Sequence, residues 1–275
     1  MGIISLILIV ANVIISYQGF KNNLFYNKYK FNVDAVLLYK DYKRLVTSGF
    51  LHVNWMHLIF NMLALYFFSG SLELYLGPVK FLIIYVASLI GGDLLSLFIH
   101  RNEGDYDSVG ASAGVNGIIY ASIVLFPGMH IGLLFIPVSI PAWLFGLIYV
   151  LYSIYGIRSR RNNIGHDAHL GGAMIGLIIA IIMQPSALVY NTWAIIIIAV
   201  PSLIFIYIII TRPHILLIDN YFFNKHSNAI TVDHKYNIEK ANKQKEIDRI
   251  LEKIHRKGMK SLTHKERQML EDYSK

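Results

Sequence analysis

The sequence predicts an all-α polytopic membrane protein with a small helical tail. Three observations carry this reading: 55% of the 275 residues are apolar, only 15% are charged, and the mean hydropathy is +0.48. Soluble domains carry about 25% charged residues, so an ordinary globule and a disordered chain are excluded. The absence of cysteine excludes a secreted disulfide scaffold. The charge is also unevenly placed. Residues 1–211 hold 11 Lys/Arg and 8 Asp/Glu, a net +3, while residues 212–275 hold 14 and 9, a net +5.

A helix needs about 20 apolar residues to cross the hydrocarbon core. Seven segments qualify or come close: Ile3–Tyr17, Met56–Leu76, Phe81–Ile99, Ser112–Phe126, Ala142–Ile157, Ala168–Met183 and Thr192–Ile210. The first is short, but it lacks a basic lead-in and a small-residue cleavage site, so it reads as an anchor and not a removed signal. Between the first two spans, Gln18–Trp55 interleaves Lys21, Lys28, Lys30, Lys40, Lys43 and Arg44 with Tyr26, Tyr29, Phe31, Tyr39 and Tyr42. That mixture suits a membrane interface, and equally a solvated loop. Gly132–Pro141 carries two prolines and is expected to be extended. In the tail a helix is expected from about Ile238 to Arg256, with Ile247, Ile250, Leu251 and Ile254 on one face. A turn at Lys257-Gly258 and a second helix from Thr263, with Glu266 as its capping-box partner, follow.

Polar groups inside a bilayer are expensive, so each needs an account. His57 and Asn61 lie four apart on one helix face, as interhelical hydrogen-bond glue or as part of a site. His52, at the helix start, reads as an interface residue. Glu73 is expected to pair with Arg44 from the preceding loop, and Asp93 has no specific account. The fourth span opens with Gly110-Ala111-Ser112-Ala113-Gly114. Glycines here are often only packing residues, but at a helix start the unpaired N–H groups and helix dipole favour a developing oxyanion. Gly110 and Gly114 would let another helix approach beside Ser112. The sixth span carries His169 on the face of Gly172 and Gly176, a close-packing G-x-x-x-G. A serine helix and a histidine helix of this kind can meet, giving the base that an ordinary hydroxyl needs to become a nucleophile. Asp167 adjoins His169, but consecutive helix residues point apart, so it is not expected to be a third member.

Taken together, these residues resemble the rhomboid intramembrane serine proteases. The resemblance covers residues 42–183, in the family's motif order. Arg44 through Phe50-Leu51-His52 resembles the W-R…F-L-H loop, and His57 with Asn61 the H-x-x-x-N motif. Glu73 and Gly77 resemble E-x-x-x-G, Gly110 and Ser112 with Gly114 the G-x-S region, and Ala168, His169, Gly172 and Gly176 the A-H-x-x-G-x-x-x-G motif. The resemblance implies a six-helix core within residues 1–186, and hydropathy and charge add an extra transmembrane helix at 187–211 and a basic tail at 212–275 with a helical module from about 238. It implies a Ser112–His169 dyad without a third acid, an oxyanion site helped by His57 and Asn61, and transmembrane proteins as substrates. No metal, organic cofactor or nucleic-acid partner is implied.

The sequence departs from the family in places. Lys43 stands where Trp is usual, so the loop is expected to pack differently. Ala113 stands where glycine is most frequent. Asn116 stands where an aromatic ring commonly stacks on the histidine; it could bond the imidazole or a water, or be helix glue. The tail from Ile247 to Lys275 resembles a small module found after some bacterial rhomboids, expected to have a docking or regulatory role; its net charge fits an anionic lipid surface, though a plain solubilising helix pair accounts for it more simply. The positive-inside rule would put the Gln18–Trp55 loop, the loop with Arg158, Arg160 and Arg161, and the tail in the cytoplasm. The family layout instead puts the catalytic opening, with that first loop, outside. A tail outside, or a 192–210 segment that does not cross, would reconcile them. A bacterial plasma membrane is the expected location. Two other readings stay in view: a non-catalytic rhomboid-like escort factor, and a solute transporter, which the lack of an internal repeat disfavours.

Overall fold

The computed structural model describes residues 1–132, 139–159, 165–211 and 232–274. Helix α1 (Ile3–Lys21) leads through α2 (Asn23–Tyr29), β1 (Phe31–Asn32), α3 (Val33–Leu37) and α4 (Arg44–Thr47) to α5 (Trp55–Leu76). Next come α6 (Pro78–Ile99), β2 (Asp107–Ser108), α7 (Ser112–Leu125), the pair β3 (His130–Gly132) and β4 (Ser139–Pro141), and α8 (Ala142–Ser159). The chain continues as α9 (His166–Met183), α10 (Ala187–Tyr190), α11 (Thr192–Thr211), α12 (Val232–Lys257) and α13 (His264–Ser274). Among the described residues, five helices, α1, α5, α6, α9 and α11, are long and apolar enough to cross a membrane, and α7 and α8 contribute shorter apolar stretches. Of the expected extended segment, residues 133–138 lie outside the described residues, and 139–141 pair with β3. Arg160, Arg161 and residues 212–231 also lie outside them.

Helix α7 is the axis of the bundle. Its 14 residues would span only about 21 Å at 1.5 Å per residue, short of the roughly 30 Å hydrocarbon core. It has no need to match that thickness, because residues 113 to 124 are all buried among α5, α6, α8 and α9. Apolar side chains gain little from leaving lipid for protein, so such packing relies on close backbone approach. A Cβ on Gly172 would lie 2.2 Å from Ala113 O, and one on Gly176 would lie 2.3 Å from Gly117 O. Thus α9 meets α7 on its Ala113–Gly117 face. Gly114 also admits a neighbouring helix, but that helix is α6, whose Tyr85 ring fills the space a side chain would take.

The segment between α1 and α5 folds around a small core of Phe31, Val33, Val36 and Leu45, capped by Leu97 and Tyr106. Arg44 ties it: Nη1 donates to Asn27 O and Lys30 O, and Nε to Asp41 at 2.9 Å. Lys43, in the position where the family has Trp, stays exposed and pairs with Asp41 at 3.3 Å. The expected Glu73–Arg44 pair does not form. Arg44 precedes the start of α5, and Glu73 lies about 27 Å along it at 1.5 Å per residue. Glu73 instead accepts from Ile4 N (2.8 Å), Ser5 N (2.9 Å) and the Ser5 hydroxyl, capping the N-terminus of α1. Asp93 gains an account: buried on α6, it accepts from Ser48 Oγ at 2.9 Å and fastens the loop to the bundle.

In the tail, α12 and α13 form a helical hairpin turning at Gly258, whose φ of +75° suits glycine. Thr263 and Glu266 form the capping box: Thr263 N donates to Glu266 Oε2 at 2.7 Å, and Glu266 N to Thr263 Oγ1 at 3.3 Å. Ile247 and Ile250 are buried, but Leu251, expected on the same face, is 50% exposed. Asn237 of α12 donates to Asp34 of α3 at 2.6 Å, so the tail sits against the first loop.

Candidate active site

The Ser112 side chain is held by the turn that precedes α7. Gly110 adopts φ +137°, a region L side chains rarely enter, and a Cβ there would lie 2.8 Å from His57 Cε1. Gly110 N donates to Ser48 O at 3.1 Å. Ala111 N points at His52 Nε2, 3.5 Å away. His52 is fully buried, contrary to the interface reading. Its Nδ1 lies 2.8 Å from Ser16 Oγ, which donates to Phe50 O. Burial and then the neighbouring His57 push its pKa down to about 3. The neutral ring therefore donates from Nδ1 to Ser16 and accepts at Nε2, joining α1, the loop and the Ser112 turn.

Ser112 is the first residue of α7, where helix N–H groups have no carbonyl partner in their own helix. His169 Nε2 lies 2.7 Å from Ser112 Oγ. The crossing of α7 and α9 at their small residues brings these two side chains, 57 residues apart, into hydrogen-bond contact. His57 sits beside them, its ring edge-on to His52 with centroids 4.9 Å apart. Asn61 donates from Nδ2 to His57 O at 2.9 Å. A cavity of about 1250 Å³ opens here, lined by His57, Asn61, Ser112, Asn116 and His169, and it reaches His100 at the loop end of the bundle. These polar side chains in its wall give water hydrogen-bond partners at membrane depth.

Asn116 does not touch the imidazole. Its Nδ2 donates to Ser112 O at 2.8 Å and to Tyr149 Oη at 3.4 Å. The ring against His169 comes from a different helix: Tyr149 on α8 lies with centroid 6.1 Å from the imidazole and interplanar angle 27°, its Oη 3.0 Å from His169 Nδ1. Sequence reasoning missed Tyr149. Asp167 turns away from His169, its Oδ2 3.3 Å from His100 Nε2. His100 also meets Glu103 at 2.8 Å and stacks on Tyr106 at 3.6 Å. Burial opposes a charged ring at His100, but Asp167 and Glu103 outweigh it and raise the pKa to about 9. Among the described residues, no group of three or more His, Cys, Asp or Glu side chains could hold a metal ion.

Residues 39–186, which hold this whole site, match the model of the Rhomboid domain. The chain belongs to the rhomboid family. It is 31% identical over 208 residues to Rhomboid protease AarA of Providencia stuartii, covering 67% of this chain and 73% of that protein. It is 30% identical over 192 residues to the mitochondrial RHOMBOID-like protein 12 of Arabidopsis thaliana, covering 64% of this chain and 56% of that protein. Rhomboid protein 1, mitochondrial, of Saccharomyces cerevisiae is 35% identical over 157 residues, 54% of this chain and 45% of that protein. The chain thus spans about half the length of these two mitochondrial relatives. The similarity also extends to Inactive rhomboid protein 1 of Drosophila melanogaster, at 28% identity over 144 residues. A multi-pass membrane protein follows from the family and the spans. Mitochondrial and bacterial relatives occur together, so the likeness does not support the expected bacterial plasma membrane. Residues 230–275 match a family of unknown function, DUF6576.

Proposed function

We propose that this rhomboid is an intramembrane serine endopeptidase that hydrolyses peptide bonds in or near transmembrane segments of other membrane proteins. The observation that carries the reading is the 2.7 Å contact between Ser112 Oγ and His169 Nε2 at the wall of a cavity inside the bundle. In this reading His169 Nε2 takes the hydroxyl proton as Oγ attacks the scissile carbonyl carbon. The oxyanion is received by the Ser112 N–H at the helix start, with His57 and Asn61 beside it. The imidazolium then gives its proton to the leaving amine. Water from the cavity hydrolyses the acyl-enzyme by the same exchange, with His169 as base. The scissile residues must leave their helix first, because a helical carbonyl is shielded by its own turn.

An escort role without catalysis needs neither a serine nor a paired histidine, and both stand here in bonding contact. The test is cleavage of a purified single-span transmembrane substrate in detergent by the parent and by Ser112→Ala and His169→Ala separately. Each variant is expected to lose cleavage by about 10⁴-fold or more. Cleavage by both at the parent's rate would overturn the dyad. A regulatory role for the 230–275 module belongs to the same proposal, supported by its seat against the first loop.

A further inference from the structure

We infer that Tyr149 is a positioning residue for His169, its phenol oxygen holding the imidazole in the tautomer a serine hydrolase needs. The inference rests on the proposed dyad and adds what sets its base. A lone imidazole beside a serine has two failures open to it. It can rotate away, or it can carry its proton on Nε2, where it could not accept one from Ser112. A hydrogen-bond acceptor at Nδ1 prevents both, since Nδ1–H is then favoured and the Nε2 lone pair faces the hydroxyl. No carboxylate among the described residues does this here, because Asp167 faces His100. Tyr149 Oη is the polar atom at Nδ1, 3.0 Å away.

Asn116 places a second donor on the phenol oxygen. Ser112 O can only accept, so the Asn116 atom 2.8 Å from it is the amide nitrogen, and the same nitrogen lies 3.4 Å from Tyr149 Oη. In the proposed arrangement the phenol oxygen accepts from Asn116 Nδ2 and from His169 Nδ1. The ring is kept in place from behind by Phe145, stacked at 6.0 Å and 22°, which packs on Phe68 of α5. The result is a closed path: Ser112 hydroxyl to His169, His169 to Tyr149, and Asn116 back to the Ser112 carbonyl. When the proton moves to Nε2 in the transition state, the Nδ1–H bond to Tyr149 shares the new charge. A phenol is a weaker acceptor than a carboxylate, so its contribution is smaller than that of a buried aspartate.

Tyr149→Phe keeps the ring and removes only the oxygen. It is expected to lower kcat about 10- to 100-fold, the worth of one hydrogen bond to a charged group, with KM unchanged. Labelling of Ser112 by a fluorophosphonate, which needs no docked peptide, should slow by the same factor. Asn116→Ala should slow both reactions alone but add nothing on the Tyr149→Phe background. Nitrogen-15 spectra of the histidine rings give an arm independent of activity: the His169 signal should report Nδ1–H in the parent and a tautomer mixture in Tyr149→Phe. Parental labelling rates in Tyr149→Phe, or an unchanged His169 signal, would overturn the inference. If Tyr149→Phe loses its thermal transition in detergent, Asn116→Ala takes its place: slowed labelling and a tautomer mixture support the inference, and parental values of either overturn it. A parent that neither cleaves nor labels would instead count against the protease reading, while the nitrogen-15 arm would still judge Tyr149.

Discussion

At the scale of single residues, what decides the site is where backbone and side chains are forced. Gly110 has the strongest such constraint, with φ +137° and the His57 ring where a Cβ would be. Gly110→Ala should add about 1–3 kcal/mol of strain and push His57 aside. Its fluorophosphonate labelling should fall at least tenfold, and its thermal midpoint in detergent should drop. Unchanged labelling would mean that this turn does not hold Ser112. Ser112 and His169 are legible in the sequence because the serine and the histidine each stand in a short motif of small residues whose packing role is itself readable. Tyr149 is not: it is one of 18 tyrosines, and nothing in its flanking sequence marks which one faces His169. The partner of Glu73 is hidden for a related reason. Proximity along the chain suggests Arg44, whereas α5 itself carries Glu73 to the opposite end of the bundle, beside Ser5.

At the scale of elements, the crossing of α7 and α9 turns two motifs into one site. Gly176 lies over Gly117, one turn beyond Gly172 over Ala113. Gly176→Val should part the two helices by costing about 1–3 kcal/mol of overpacking, lowering the thermal midpoint and slowing labelling of Ser112 in parallel. A lower midpoint with full labelling would show that the crossing holds the fold but not the site. The existence of each apolar helix is legible from its hydropathy. The pairing of faces is legible in part: Gly172 and Gly176 point to a contact on α9, but the matching face of α7 is Ala113 and Gly117, because a helix surface repeats at three and four residues. The loop between α1 and α5 is the least legible element. Its order comes from long-range bonds, Arg44 to two carbonyls and Asp93 to Ser48, that leave no periodic pattern.

At the scale of the molecule, two histidines outside the spans set a pH window for stability. His100 has its pKa raised from 6.5 to about 9, so its contribution is full below 6.5 and is lost as pH rises toward 9. His52 is lowered from 6.5 to about 3, so its contribution is present above 6.5 and is lost as pH falls toward 3. Thermal midpoints in detergent should therefore peak near pH 6.5, with His100→Gln flattening the alkaline limb. An alkaline limb unchanged in that variant would contradict the His100 account. The tail's placement belongs to this scale as well. Six crossings after the first loop, with α11 the last, would return the chain to the end where that loop lies, an expectation that the Asn237–Asp34 bond fits. The chain has no native cysteine, so single cysteines introduced at 188 and 245 can be tested with a membrane-impermeant thiol reagent. They should react from opposite sides, and reaction from one side would mean that α11 does not cross. Composition alone could not decide this, because the charge rule and the family layout assign the same loops to different sides.

The central claim is that Ser112 is a nucleophile activated by His169. The most direct test is fluorophosphonate labelling of the purified parent, with the modified residue located by peptide mass spectrometry. A single adduct on Ser112 is expected, absent in Ser112→Ala and lost or strongly slowed in His169→Ala. No adduct on the parent, or an adduct that persists in Ser112→Ala, would contradict the claim.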